Sequence, residues 1–289
     1  MSLPWTLDDL NFAAVPAAEG TADERLVGMI AAASLVESAS DLYTANLVRY
    51  FAADSEVETW LREHWEPEEL QHGRALRTWV EYAWPGFDWD LTFKGFLAEY
   101  SLLCRMDALR PTPALEMVAR CVIETGTATL YQTLLDLAHE PVLREIVRRI
   151  HDDEVRHFKY FLRFFRRYQN VEHLSRWSIA QALLARVREV QSEDADCAMR
   201  HVVRQRAPAI GADPEHADEW ILAASRQLQQ ACSYDQAARM LLTPLGLSPR
   251  VRPWIGVPLA VGARLVMQGP PWRRVPGDSP RAGRWGRAA

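Results

Sequence analysis

The stretch WEPEELQHGRAL, residues 65–76, places Glu69 and His72 three positions apart in a segment with helical periodicity. On a helix that spacing is one face. A second stretch, HDDEVRHFKYF at residues 151–161, repeats the arrangement with Glu154 and His157. A lone Glu-x-x-His is ordinarily a solvated pair. Here the chain's only two such pairs each follow an upstream glutamate: Glu37 in LVESAS and Glu124 in VIETGTA. Glu37 and Glu69 are 32 residues apart and centred on residue 53; Glu124 and Glu154 are 30 apart and centred on residue 139. Both midpoints fall at breaks in the helical pattern. In an antiparallel helix pair, residues equidistant from the turn share a height, roughly 23 Å from it at about 1.5 Å per residue. All six side chains can then meet in one layer of four helices.

The surrounding pattern supports this. Apolar periodicity predicts a first helix over 21–51, opened by TADE as a capping box. SEVE at 55–58 reads as a second capping box, opening a helix to about residue 82. The segment 91–109 reads as a helical crossing, long enough to let the third helix restart from the other end of a bundle. That third helix is expected from Pro113, a favoured first-turn proline, to about residue 138, and a fourth from Pro141 to about 168. Further helices are expected over 174–190 and 214–242. The implied division is an N-terminal extension at 1–20, a helical domain at 21–242, and a Pro/Gly/Arg-rich tail at 243–289 expected to be mostly disordered.

Four carboxylates in a bundle core would repel one another and suffer desolvation. Two divalent ions cancel four negative charges. Oxygen and imidazole ligands suit iron or manganese, while zinc favours fewer ligands in tetrahedral geometry. The expected metal ligands are therefore Glu37, Glu69, His72, Glu124, Glu154 and His157. Two Asp-x-x-His pairs, Asp136–His139 and Asp213–His216, have no carboxylate in register and read as capping or surface residues.

Composition narrows the class. The 289 residues are 48% hydrophobic and 25% charged, as in an ordinary globular protein, and the net charge of -5 argues against a general nucleic-acid binder. The N-terminus shows neither a basic start nor an apolar run of signal-peptide type. The late apolar stretch at 254–267 is too short to span a bilayer and contains Arg264, so it is expected to pack on its own domain. The four cysteines, Cys104, Cys121, Cys197 and Cys232, form no CxxC, which suggests a reducing, cytoplasmic setting.

The ligand set resembles that of ferritin-like di-iron carboxylate proteins: one Glu from each of two helices and Glu-x-x-His from two others. Within that class, WEPEELQHGRAL is similar to the WTAEENRHGDLL segment of soluble acyl-(acyl-carrier-protein) desaturases, matching at Trp65, Glu68, Glu69, His72, Gly73 and Leu76. DDEVRH is similar to that family's DEKRH motif, matching at Asp153, Glu154, Arg156 and His157. The likeness covers roughly residues 21–168. It implies an all-α, ferritin-like four-helix bundle with a long crossover between helices two and three, plus extra C-terminal helices.

The resemblance implies two iron ions, with an iron–manganese pair as the variant. Glu69 and Glu124 would bridge or chelate the metals, and Glu37 and Glu154 would be terminal. Asp153 would take the outer ring nitrogen of His72, and Glu68 that of His157. Thr127 in ETGT would face the metals as a partner for bound dioxygen, and Gly126 would permit a local widening of the helix. Tyr43 and Tyr131 read as core or pocket wall. The expected activity is dioxygen-dependent desaturation or hydroxylation of an acyl chain, carried as an acyl-carrier-protein thioester or a small acyl substrate. A ferredoxin-type donor would supply electrons, and the protein would be a homodimer. A ferroxidase or peroxide scavenger, or an oxygenase of a natural-product precursor, are the alternatives. Arg144, Arg148, Arg149, Arg156, Lys159, Arg163, Arg166 and Arg167 crowd the fourth helix. They read either as a docking patch for an acidic carrier or as a solvated face with internal ion pairs.

Overall fold

The computed structural model describes residues 3–18, 24–104, 106, 109–189, 193–206, 217–248 and 250–268. Among these residues it is all helical, with no strand. The helices are α1 (Glu24–Ser38), α2 (Ser40–Tyr50), α3 (Ser55–Trp60), α4 (Glu66–Ala83), α5 (Trp89–Tyr100), α6 (Pro113–Leu137) and α7 (Pro141–Glu172), followed by α8 (Arg176–Glu189), α9 (Glu193–Arg206), α10 (Ala217–Ala231), α11 (Tyr234–Leu241) and α12 (Arg252–Gln268). The closest-packed pairs are α6 with α7 and α1 with α4. The expected turn midpoints hold: the chain reverses at 51–54 and at 138–140.

α6 begins as the sequence predicts. Pro113 occupies its first turn, and Thr112 accepts from the Leu115 amide as N-cap. Glu140 caps α7 in the same way, accepting from the amides of Val142 and Leu143. The return arm of the first hairpin starts differently. Asp54, not Ser55, is the N-cap of α3, accepting from the Val57 amide at 3.3 Å. The SEVE box does not form because Ser55 already lies inside the helix, and the carboxylate of Asp54 one residue earlier serves the orphan donor. The TADE segment lies outside the described residues.

The first helix is not continuous. It breaks at Ala39, immediately after Glu37 and Ser38, and resumes as α2. No Pro or Gly marks the site, so periodicity reads through it. The break falls where Ser38 meets Gly73 of α4 at backbone distance. The expected widening at Gly126 is also absent: α6 runs through it as regular helix. The π turn lies instead at Leu61–Trp65, where the Glu66 amide reaches back five residues to the Leu61 carbonyl. Pro67 supplies the reason. It has no N–H to give and its ring collides with the carbonyl four residues earlier, so the turn before it widens. Because Gly126 is exposed and an added Cβ would meet nothing within 4 Å, Gly126→Ala should raise stability by about 0.5–1 kcal/mol, read as a higher denaturant midpoint.

The C-terminal third departs further from expectation. α9 lies between the expected helices, and the described part of the expected 214–242 helix is two helices, α10 and α11, separated at Cys232–Ser233. The 243–289 tail contains α12, which packs against α11 and α10 while exposing Trp254, Val257 and Val261. The remainder, PPWRRVPGDSPRAGRWGRAA, lies outside the described residues. None of the four cysteines is in a disulfide. One stretch, Glu24–Tyr50, is apolar and long enough by composition to cross a membrane. Most of that window is buried inside the protein, as in a core helix.

The apolar interior forms two clusters. One gathers residues before Glu37 and Glu154 and after His72 and Glu124, including Ile30, Leu35, Leu76, Tyr131 and Ile150. The other gathers residues on the opposite side of those four, including Leu47, Leu61, Met117, Phe161 and Phe164. Between them lies a polar layer.

Candidate metal centre

The layer holds all six glutamate and histidine residues singled out by the spacing. Glu37, Glu69, His72, Glu124, Glu154 and His157 are 0–8% exposed. Their facing atoms form two groups, each within 4.8 Å: Glu37, Glu69, His72 and Glu154 in one, and Glu69, Glu124, Glu154 and His157 in the other. α4 and α7 therefore run antiparallel through the layer, each histidine opposite the other helix's glutamate. His72 Nδ1 lies 3.3 Å from Glu154 Oε1, and His157 Nδ1 lies 3.0 Å from Glu69 Oε1. The hairpin glutamates stand farther out: Glu37 is 3.9 Å from His72, and Glu124 is 3.6 Å from His157.

Proximity pairs the carboxylates differently from the expectation that set Glu69 and Glu124 between the metals. The carboxylates common to both groups are Glu69 and Glu154, while Glu37 and Glu124 each belong to one. The reason is azimuthal. Glu-x-x-His on two antiparallel helices turns both glutamates to the midline and sends the histidines to opposite ends.

The outer ring nitrogens are also held. His72 Nε2 is 3.0 Å from Asp153 Oδ2, and His157 Nε2 is 2.7 Å from Glu68 Oε2. Arg156 ties the two carboxylates together, at 2.8 Å from Glu68 and 2.7 Å from Asp153. With Nε2 donating outward, Nδ1 of each imidazole presents a lone pair to the layer.

The inner atoms fit metal for a further reason. Glu69 Oε1, His72 Nδ1, Glu124 Oε2, Glu154 Oε1 and His157 Nδ1 are buried and have no hydrogen-bond partner. Buried polar atoms are almost always satisfied, and five converging exceptions fit a shared cation. The electrostatics carry the same strain. Burial pushes Glu124 up to about 8, and burial with the neighbouring Glu154 and Glu37 charges holds Glu69 well above the usual carboxylate range. Burial and Glu154 likewise raise Glu37. Burial also pushes Glu154 upward, but the His72 contact and the nearby His157 and His72 charges outweigh it, leaving Glu154 lowered. Burial opposes charge on both histidines, yet the carboxylates around them raise both well above the ordinary value.

Thr127 is half-buried and its hydroxyl donates to the Glu154 carboxylate, while also lying 3.3 Å from the Glu124 carbonyl. Two further contacts were not read from the sequence. Tyr131, fully buried, donates its hydroxyl to Glu37 Oε1. The signal was present: 124, 127 and 131 follow one face of α6. Trp5, in the extension before α1, is 6% exposed and donates Nε1–H to Asp153 Oδ2 at 2.8 Å. Its ring lies parallel to His72 with centroids 6.3 Å apart. No local pattern could link residues 148 apart. Trp5→Phe removes a buried donor to a charged acceptor. It should weaken metal binding in the His72 group by about tenfold, as loss of an outer partner does, measured by calorimetric titration.

The arginine-rich face of α7 is largely satisfied internally. Arg144 caps α6 through the Leu135 and Ala138 carbonyls. Arg148 and Arg149 pair with Glu145, and Arg163 and Arg167 pair with Glu56. Arg156 serves the centre. Tyr43 packs in the second apolar cluster, with Arg120 stacked over its ring at 4.3 Å.

The chain matches no protein-family model and no curated protein.

Proposed function

We propose that the protein is a ferritin-like di-iron oxidoreductase that uses dioxygen to desaturate or hydroxylate an acyl chain. The observation that carries this reading is the pair of buried ligand groups sharing Glu69 and Glu154, with their inner atoms unsatisfied. Two antiparallel helix pairs joined by the crossing at 84–112 fit a ferritin-like four-helix bundle, and the carboxylate-rich donor set suits iron, or iron with manganese, over zinc.

Glu37, Glu69, His72, Glu124, Glu154 and His157 would hold the irons, with Glu69 and Glu154 common to the two groups. When bound, the irons would supply reductive activation of dioxygen. The protein's own residues set the conditions. Asp153 and Glu68 hold the imidazole rings in one orientation and tautomer. Tyr131 fixes one oxygen of Glu37. Thr127 places a hydroxyl beside Glu154, where it can hold a proton next to the reacting face. The two apolar clusters exclude bulk water on either side of the layer. Electrons would come from a separate ferredoxin-type protein. Since the α7 arginines are mostly paired internally, a small acyl substrate stands beside an acyl-carrier-protein thioester as the form presented.

The test is turnover with iron-loaded protein, ferredoxin, its reductase, dioxygen and a panel of acyl thioesters and free acids, with products read by mass spectrometry. Loss of two hydrogens identifies desaturation and gain of one oxygen hydroxylation. No acyl product, with Fe(II) oxidised and retained as ferric mineral, sinks the acyl reading and supports an iron-oxidising store.

A further inference from the structure

Away from the central layer, α5 packs against α9. Glu99 projects from α5. Cys197 and His201 are four residues apart on α9 and so share one face. A Glu99 carboxylate oxygen, the Cys197 sulfur and a His201 ring nitrogen all lie within 4.8 Å of one another. His201 Nε2 is 3.1 Å from Glu99 Oε2, while Arg200 holds the other oxygen of Glu99 at 2.8 Å. One carboxylate oxygen is thus fixed and the other turned toward the sulfur and the imidazole. Around a tetrahedral zinc ion, with ligand bonds of about 2.0–2.3 Å, neighbouring ligand atoms stand about 3.3–3.8 Å apart. The trio needs only a small adjustment to reach that shape.

The imidazole sits in a space made for it. Gly95 lies one turn before Glu99, and a Cβ there would stand 3.1 Å from His201 Nδ1 and 3.3 Å from Cε1. A side chain there would require the ring to give by a few tenths of an ångström. Phe96 meets the same ring edge-on, with centroids 6.4 Å apart. Cys197 is 1% exposed, whereas Glu99 lies at the surface. The cluster is closed on the sulfur side and open on the carboxylate side.

We propose that Glu99, Cys197 and His201 form a separate zinc site, with water as the fourth ligand. The thiolate distinguishes it from the central groups, whose ligands are glutamate and histidine alone, and a soft sulfur donor favours zinc over iron(II) or manganese. Binding converts the Cys197 thiol to a zinc-bound thiolate and releases its proton to solvent. Since α9 also packs on α1, which carries Glu37, the ion would pin the crossing segment and the C-terminal helices to the wall of the central layer.

The test uses the full chain, stripped with chelator and titrated with Co2+ as a spectroscopic stand-in for zinc. The expected result is one equivalent with a near-ultraviolet thiolate-to-cobalt charge-transfer band and the visible bands of tetrahedral cobalt, both bleached by Zn2+. Glu69→Gln/Glu154→Gln, aimed at the central groups, keeps the charge-transfer band. Cys197→Ser and His201→Ala lose it, and Glu99→Ala binds at least about tenfold more weakly. Because Cys197 is buried, its replacement also touches packing; His201→Ala, at the more accessible edge, gives the same reading with circular dichroism confirming the fold. Saturation with Co2+ without a charge-transfer band, or a band that survives either Cys197→Ser or His201→Ala, overturns the site.

Discussion

Stripping divalent metal from the central layer should lower the melting temperature by about 15 °C. A ligand present at a thousandfold over its dissociation constant contributes about 4 kcal/mol per site, and about 1 kcal/mol shifts a chain of this size by roughly 2 °C. Two sites give the total. The variants then resolve the arrangement. Glu69→Ala and Glu154→Ala each remove a carboxylate common to both groups, so each should cost both metals. Glu37→Ala should cost only the metal beside His72, and Glu124→Ala only the one beside His157. Metal per chain, measured by elemental analysis, separates these outcomes. If Glu154→Ala retains one metal while Glu124→Ala loses both, the shared pair is wrongly assigned. If all four variants load fully, the layer is not the metal site.

Gly73→Val should destabilise the protein by about 3 kcal/mol or more and empty the His72 group. An added Cβ at Gly73 would stand 2.7 Å from the Ser38 nitrogen and 2.9 Å from its Cα. Backbone cannot yield as a flexible side chain does, so α1 and α4 must separate. Overpacking in a well-packed interior costs about 1–3 kcal/mol, and a backbone clash lies at the upper end. Gly73 follows His72 and Ser38 follows Glu37, so separating these helices also carries Glu37 away from His72. Urea denaturation and metal analysis of the same variant read both effects. A variant with wild-type stability and full loading would show that the close approach is not required.

Much of the centre was legible in the sequence because helix geometry is periodic and additive. The spacing of Glu37 from Glu69 and of Glu124 from Glu154 placed four glutamates at one height, and the structure sets their carboxylates together with both histidines. The same argument failed wherever the signal was not periodic. The break at Ala39 has no Pro or Gly to announce it; it coincides with a close contact to another helix. Glycine at 126 only permits a widening, whereas Pro67 compels one at Leu61–Trp65. α9 and α12 were missed amid polar or Pro- and Gly-containing sequence, where packing against neighbouring helices outweighs local preference.

The sequence by itself determined that the chain is helical, where its two hairpins turn, and which six side chains meet. Those properties follow from pitch and from residue counts along each helix. The tertiary structure alone decided that Glu69 and Glu154 are common to both groups, because that depends on α4 and α7 facing each other antiparallel across the layer, and packing sets which helices face. It alone brought Trp5 to Asp153 and Tyr131 to Glu37, across 148 and 94 residues. Contacts at such separations depend on how whole helices stack, and no periodicity within a single segment encodes them.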